Sequence, residues 1–215
     1  MSLNFLKFKG DREGFTTLEL MVVIGIFTIM TGVVLANLPK FRDQTSVGLV
    51  AQQIALVARQ AQVYGNSGRK LADGSAVQGY GLDINTAIPS SFILFGNKKV
   101  DPPGTQDYLY SPSPERIETF SLAGGIRISG VEWVPPTTGP TGCIPGGASP
   151  SIMRIIFRRA YPDAQFFSAS GTSRPGCTCN KIIIESVRDS TLPKKEIVIW
   201  STGHIYTRNA NPGSC

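Results

Sequence analysis

From residue 15 to residue 38 the chain contains no Lys, Arg, Asp or His, and its only charged side chain there is Glu19. Wound as an α-helix at about 1.5 Å per residue, a run of this length reaches roughly 36 Å, enough to cross the hydrocarbon core of a bilayer. Basic residues precede the run, namely Lys7, Lys9 and Arg12. They predict that the amino-terminal end lies in the cytoplasm and that everything after Leu38 lies outside.

The junction before this run resembles a known processing signal. The residues that carry the resemblance are Gly14, Phe15 and Glu19, followed by Leu20-Met21-Val22-Val23-Ile24. They are similar to the signal of type IV prepilins and type II secretion pseudopilins. The resemblance implies that a prepilin peptidase removes residues 1–14 as a leader by cutting after Gly14. It also implies that the same enzyme methylates the new amino terminus at Phe15, while the apolar helix stays in the protein.

Two other interpretations of the apolar run are weaker. A Sec signal peptide normally has an apolar region of about 7 to 15 residues that ends in a small-x-small cleavage site, and this run is longer. An ordinary single-pass anchor explains the apolarity and the orientation of the run. It does not explain why an acid follows Gly14 and Phe15 so closely.

Glu19 itself has two interpretations. Thr16-Thr17-Leu18-Glu19 has the spacing of a capping box, in which Glu19 serves only to start the helix. The resemblance implies a second role, in which Glu19 pairs with the methylated amino group of Phe15 on a neighbouring subunit as a filament assembles. We favour the second, since acids inside a membrane are usually functional and need a partner.

Small residues recur along the same helix. Gly25, Thr28, Gly32 and Ala36 are three or four positions apart and would form a stripe on which a second helix could pack. Glycine and threonine are also common in membrane helices in general, so the two interpretations carry equal weight.

The helix is predicted to continue beyond the membrane. Pro39 should bend or break it, but apolar residues then recur at helical spacing: Val47, Val50, Ile54, Val57, Ala61 and Tyr64. Residues 39–64 therefore form an amphipathic continuation that ends at Gly65-Asn66-Ser67-Gly68. Five polar residues lie off this stripe and are expected to face solvent or another subunit: Gln52, Gln53, Arg59, Gln60 and Gln62.

Residues 65–215 are predicted to form one extracytoplasmic domain of antiparallel β-sheet. Strands are expected at 77–84, 92–100, 126–134, 152–160, 165–169, 181–187, 196–201 and 204–207. The last two should form a hairpin around a two-residue turn, Thr202-Gly203. The fold class is α+β. This part resembles the minor pseudopilins of the type II secretion H type, which implies a pilin-like fold with a long kinked helix packed on two antiparallel sheets.

Two proline-rich loops and four cysteines complete the outer domain. The loops, at 101–114 and 135–150, should be exposed, and we interpret them as surface connections rather than as binding loops. Cys143, Cys177, Cys179 and Cys215 lie on the oxidising side. Cys177 and Cys179 are too close in sequence to pair comfortably, so each is expected to bond to Cys143 or Cys215. Zinc binding is the less favoured alternative.

Neither catalysis nor a cofactor is predicted. His204 is the single histidine and should lie on a surface turn, so no histidine cluster could bind a metal. The chain without its leader carries a formal charge of +5. That modest excess makes nucleic-acid binding a secondary hypothesis, resting on Arg154, Arg158, Arg159, Lys181, Arg188, Lys194 and Lys195.

The resemblance therefore implies a structural subunit of a type IV pilus or type II secretion pseudopilus, and the bulky outer domain favours a minor one. The expected partners are other pilin or pseudopilin subunits, the prepilin peptidase/methyltransferase, and the inner-membrane assembly platform with its ATPase. The expected location is the cytoplasmic membrane and then the filament. The alternatives are a static single-pass membrane protein with an outer binding domain, and a DNA-binding minor pilin of an uptake system.

Overall fold

The computed structural model describes residues 14–98, 115–122, 124–135, 150–158, 162–211 and 215. The chain divides into two compact units, with the first ending at Phe41 and the second comprising Arg42–Cys215. One long helix and nine strands make up the regular structure of the described residues. Together they give an α+β protein, as the sequence predicts.

Helix α1 comprises Thr17–Ser67 and contains Pro39 without interruption. Of the two effects expected at Pro39, a bend or a break, the break is therefore wrong. A proline inside a helix loses one backbone hydrogen bond, but the turns on either side can still be continued. The predicted end is confirmed, since the helix stops at Ser67 and Gly68 follows with a φ of 62°. That left-handed conformation is the usual way in which glycine terminates a helix.

The nine strands follow in chain order. They are β1 Val77–Asn85, β2 Ser91–Lys98, β3 Arg116–Ser121, β4 Ile126–Val134, β5 Ile152–Arg158, β6 Ala164–Ser168, β7 Cys179–Ser186, β8 Lys195–Trp200 and β9 Ile205–Asn209. Strands β1, β2, β3, β5 and β6 form a five-stranded sheet in the order β3-β2-β1-β5-β6, and the other four form a sheet in the order β4-β7-β8-β9. All neighbouring strands pair antiparallel, which confirms the predicted sheet type.

The main core of the second unit lies where α1 meets both sheets. Five members of the predicted apolar stripe of α1 are buried there, and Tyr64 packs against the same cluster while partly exposed. Residues on one face of each sheet complete the cluster, including Leu82 and Ile155 from one sheet and Ile182 and Ile197 from the other. Burying an aliphatic side chain of this size contributes roughly 1.5 to 3 kcal/mol. The outer half of α1 is therefore held by its apolar stripe.

A glycine sets how closely α1 approaches the five-stranded sheet. A Cβ atom added at Gly65 would lie 2.5 Å from the carbonyl oxygen of Phe157 on β5. No side chain fits at that distance, so only glycine allows the helix end to lie against the strand.

Three details of the β domain differ from the sequence prediction. Strand β3 was not predicted at all. Strand β7 begins at Cys179, two residues earlier than expected. The hairpin of β8 and β9 is confirmed, but its loop has three residues, since Trp200 exchanges backbone hydrogen bonds with Gly203 and His204. Gly203 takes the left-handed conformation, with a φ of 84°, as three-residue hairpin loops require.

The cysteines follow the expected pattern where they are described. Cys179 at the start of β7 is bonded to Cys215, with their Cα atoms 6.2 Å apart. Cys177 is also in a disulfide and so does not pair with its near neighbour Cys179. The remaining cysteine, Cys143, lies outside the described residues, as does most of the two proline-rich loops, 101–114 and 135–150.

Candidate functional site

The segment that enters α1 is built around Thr16. Gly14 and Phe15 precede the helix and are exposed. The backbone N–H of Glu19 donates to the Oγ1 of Thr16 at 3.2 Å, and that of Leu20 donates to the Thr16 carbonyl at 3.1 Å. Thr16 is thus the helix cap. A Cβ atom added at Gly14 would meet nothing within 4 Å, so packing within the described chain gives no reason for a glycine at this position.

The carboxylate of Glu19 takes no part in this cap. Only the Thr16 half of the capping box is formed, because the bond at Glu19 uses its backbone N–H and not its side chain. Glu19 is exposed, and no hydrogen bond or ion pair joins its carboxylate to another described residue. An acid at the start of an apolar helix therefore has its charge available to another molecule.

The apolar run surrounding Glu19 is exposed on all sides. Within the described chain, α1 is the one helix long and apolar enough to cross a membrane, and none of its apolar window is buried. Large side chains such as Phe15, Met21, Phe27 and Ile29 expose more than two thirds of their surface. So much exposed apolar surface is unfavourable in water, at roughly 25 cal/mol for each Å². The helix is suited to lipid or to the apolar surface of other helices.

Other polar groups in this run are satisfied by the helix itself. The hydroxyls of Thr28 and Thr31 each donate to the carbonyl four residues earlier at 2.8 Å, and the side-chain amide of Asn37 donates to the Val33 carbonyl at 2.9 Å. Such bonds make polar side chains tolerable in a membrane helix. Glu19 is the ionisable exception within residues 15–38.

The small residues of the predicted packing stripe are open to the outside. Added Cβ atoms at Gly25 and Gly32 would meet nothing within 4 Å, and Thr28 and Ala36 are exposed. No contact with the described part of the chain therefore accounts for the small side chains of this stripe.

The off-stripe polar residues of the outer helix half are not all solvated, which corrects the sequence expectation. Arg59 donates to the Ile205 carbonyl at 3.2 Å, and the Gln62 side chain donates to the carbonyls of Pro162 and Gly203 at 2.9 and 3.2 Å. These bonds tie α1 to the β8–β9 hairpin and to Pro162, which precedes β6. The pattern of a helix alone could not reveal them, since their partners are a hundred or more residues away in sequence.

An exposed apolar row runs along the other side of this helix half. Leu49, Leu56 and Val63 recur at seven-residue intervals, and each exposes about three fifths of its side chain. Sequence periodicity does not reveal this row, because its residues repeat every seven positions just as those of the core-facing stripe do.

Two of the basic residues considered for nucleic-acid binding are internal rather than on a solvated strand face. Arg154 is buried on β5 and its Nε donates to Asp83 at 2.7 Å. Lys181 on β7 is fully buried, with its Nζ 2.7 Å from the Asn211 carbonyl and 3.7 Å from Glu196. Burial raises the pKa of Asp83, and Arg154 opposes that rise. These cations serve the fold and are not available to bind a nucleic acid.

Metal-binding chemistry has no visible basis in the described ranges. No group of three or more His, Cys, Asp or Glu residues is placed to hold a metal ion among the residues that the structure describes. His204, next to the β8–β9 loop, is exposed, as the sequence predicts.

Comparison with protein-family models, with curated proteins and with solved structures finds no match for this chain.

Proposed function

We propose that this protein is a structural subunit, of the minor kind, in a type IV pilus or a type II secretion pseudopilus. The observation that carries the proposal is the Glu19 carboxylate, which is exposed and unpartnered among the described residues at the start of an apolar helix. A buried charge in lipid costs several kcal/mol without a partner. A second subunit with a free amino terminus next to the same helix would supply that partner.

Processing gives Gly14 and Phe15 their roles in this proposal. Gly14 is the last residue of the leader, and Phe15 becomes the first residue of the mature chain and is methylated by the prepilin peptidase. The exposed and open position of Gly14 supports access by an enzyme, since nothing within the described chain packs against it.

Assembly then uses the apolar helix. The subunit waits as a single-pass protein of the cytoplasmic membrane, with its amino terminus in the cytoplasm and its β domain outside. The assembly platform transfers it into a filament of pilin or pseudopilin subunits. There its helix packs against others, with Gly25, Thr28, Gly32 and Ala36 allowing close approach.

The first experiment measures the intact mass and amino terminus of the membrane-extracted protein in a host that carries a prepilin peptidase. We expect a mature chain that begins at methylated Phe15. In Gly14→Ala this product should be lost. The matched control is Gly124→Ala, since Gly124 has open space around it and is far from the leader in sequence. An uncut chain, or a cut after the apolar run, would overturn the proposal.

A second experiment separates processing from assembly through Glu19. In Glu19→Gln the helix keeps its Thr16 cap, because the cap uses the backbone of residue 19. We expect normal cleavage after Gly14 but at least a tenfold loss of the subunit from sheared filament fractions. Unchanged incorporation of the variant would contradict the role assigned to this carboxylate.

The alternative is a static single-pass protein with an outer binding domain. The fully exposed apolar helix favours it equally well, because any membrane anchor has that property. It leaves the open Gly14 and the unpartnered Glu19 without a role. A protein with an unmethylated, uncut amino terminus that never leaves the membrane would support this alternative.

A further inference from the structure

A cavity of about 290 Å³ lies where the connection after α1 meets the first residues of β3. Three cations line it, Arg69 and Lys70 from the connection and Arg116 from the strand. Its apolar lining includes Leu71 and Ile117. The cavity therefore brings basic side chains from two separate parts of the chain to one opening, beside apolar surface.

The single acid in the lining is already occupied. Asp73 accepts a hydrogen bond from the backbone N–H of Ser75 at 2.9 Å and pairs with Lys98 at 2.9 Å. Hydrogen bonds from Ser75 and then from Lys98 hold the pKa of Asp73 well below its ordinary value. Asp73 thus stays ionised and bound to Lys98, a cation outside the lining.

The three lining cations have no ion pair within the described chain. Glu115 precedes Arg116, but it is buried and accepts the backbone N–H of Lys98 at 2.9 Å. Three positive charges around one opening repel each other. An anion in the opening would remove that repulsion.

Ordered structure holds Arg69 and the connection that follows it. The guanidinium of Arg69 stacks over the Tyr64 ring, 4.5 Å from its centroid, and its carbonyl accepts the Tyr80 hydroxyl at 2.7 Å. A turn closes the connection, with bonds between the backbones of Leu71 and Ser75 and of Gly74 and Leu71. A rigid site loses less conformational entropy on binding than a mobile one.

We propose that the cavity lined by Arg69, Lys70 and Arg116 binds a phosphate group carried by a ligand outside the cell membrane. Two guanidinium groups and one ammonium group suit phosphate, which accepts paired hydrogen bonds from arginine and brings more negative charge than a carboxylate. The neighbouring Leu71 and Ile117 would contact an apolar or sugar part of the same ligand. This site is independent of filament assembly.

The test uses the full-length protein in a non-ionic detergent and titrates it with pyrophosphate by calorimetry at low ionic strength. We expect saturable binding with one site per chain, and no comparable binding of acetate. Arg116→Gln and Arg69→Gln should each weaken the affinity at least fivefold. Arg188→Gln is the matched control, because Arg188 is an exposed arginine on another surface. Circular dichroism shows whether each variant keeps its fold.

Two competitors then identify the source of the phosphate. Displacement of pyrophosphate by a 12-nucleotide single strand would assign the site to a phosphodiester polymer, and displacement by glucose 1-phosphate would assign it to a phosphomonoester. Displacement by neither would overturn the proposal. Equal weakening by Arg188→Gln would also overturn it, because it would indicate diffuse attraction to a basic protein.

Discussion

At the scale of single residues, the second unit, Arg42–Cys215, contains buried ionic groups. Asp83 and Arg154 face each other across β1 and β5 and expose 9% and 8% of their side chains. Arg154 also donates to the Ala169 carbonyl at 2.9 Å. Such a pair adds little net stability compared with apolar residues, but removing one partner leaves an uncompensated buried charge.

Replacing Arg154 by Met should lower the free energy of unfolding by about 3 to 5 kcal/mol at neutral pH, because Asp83 would remain buried and charged. Chemical denaturation of the variant measures this loss. The double variant Arg154→Met/Asp83→Asn should recover part of the stability. If the double variant lost as much stability as the single variant, the buried charge of Asp83 would not be the cause of the loss.

The same variant should respond to acid in a definite direction. Burial already raises the pKa of Asp83, and Arg154 is the group that lowers it, so the variant should raise it further. An acid whose pKa is higher in the folded state than in the unfolded state destabilises the fold while it is ionised. This loss of stability is complete above the folded pKa and shrinks as the pH falls through it. The stability gap between Arg154→Met and wild type should therefore narrow at acidic pH. The double variant should lack this dependence.

At the scale of elements, the sequence predicts α1 and eight strands because the spacing of their apolar residues corresponds to the residues that are buried. Residues of α1 that face the core repeat every three or four positions, and buried strands read as continuous runs of Ile, Val and Phe. Strand β3 has no such signal. It is an edge strand, most of its residues are exposed, and it carries Arg116 and Glu118. Backbone pairing with β2 forms it, which periodicity does not detect.

The β8–β9 loop is a second element that sequence patterns describe only approximately. Thr202-Gly203 indicates a turn, but the length of the loop depends on which loop position requires the left-handed conformation of glycine. Gly203 has a φ of 84°, and an added Cβ atom would lie 2.2 Å from the Pro162 carbonyl oxygen. Both the backbone conformation and the neighbouring chain therefore require glycine.

Replacing Gly203 by Ala should destabilise the second unit by at least about 1 to 2 kcal/mol. The left-handed backbone conformation alone costs roughly this amount for a residue with a Cβ atom, and the clash with Pro162 adds to it. Thermal unfolding followed by circular dichroism measures the effect. Gly124→Ala is the matched control, because an added Cβ atom there meets nothing within 4 Å. Equal midpoints for the two variants would refute the explanation.

At the scale of the whole molecule, the carboxyl-terminal tail joins strands that are already paired. The carbonyl of Asn211 accepts from Lys181 on β7 at 2.7 Å, and its N–H donates to Glu196 on β8 at 3.2 Å. The backbone of a single residue thus bridges both members of a buried ion pair. The disulfide between Cys179 and Cys215 fixes the tail further along. The cysteine pattern limited the pairing, but this bridge depends on tertiary contacts that no sequence motif encodes.

Replacing Cys215 by Ser should lower the free energy of unfolding by about 3 to 4 kcal/mol, the loop-closure value for a crosslink of this span. The sequence separation of the two cysteines is 36 residues. Amine labelling followed by peptide mass mapping should show greater reactivity of Lys181 in the variant. Lys195, which is partly exposed already, is the internal reference. Unchanged protection of Lys181 would mean that the tail is held without its crosslink.

The disulfide of the tail also affects the order of events in folding. While both thiols are reduced, Cys215 has no link to Cys179, and the bridge at Asn211 lacks this covalent support. The bond between them needs an oxidising environment, so it can form only after the two thiols have met one. The last contact of the tail therefore depends on the redox state of the surroundings, whereas the backbone bridge at Asn211 does not.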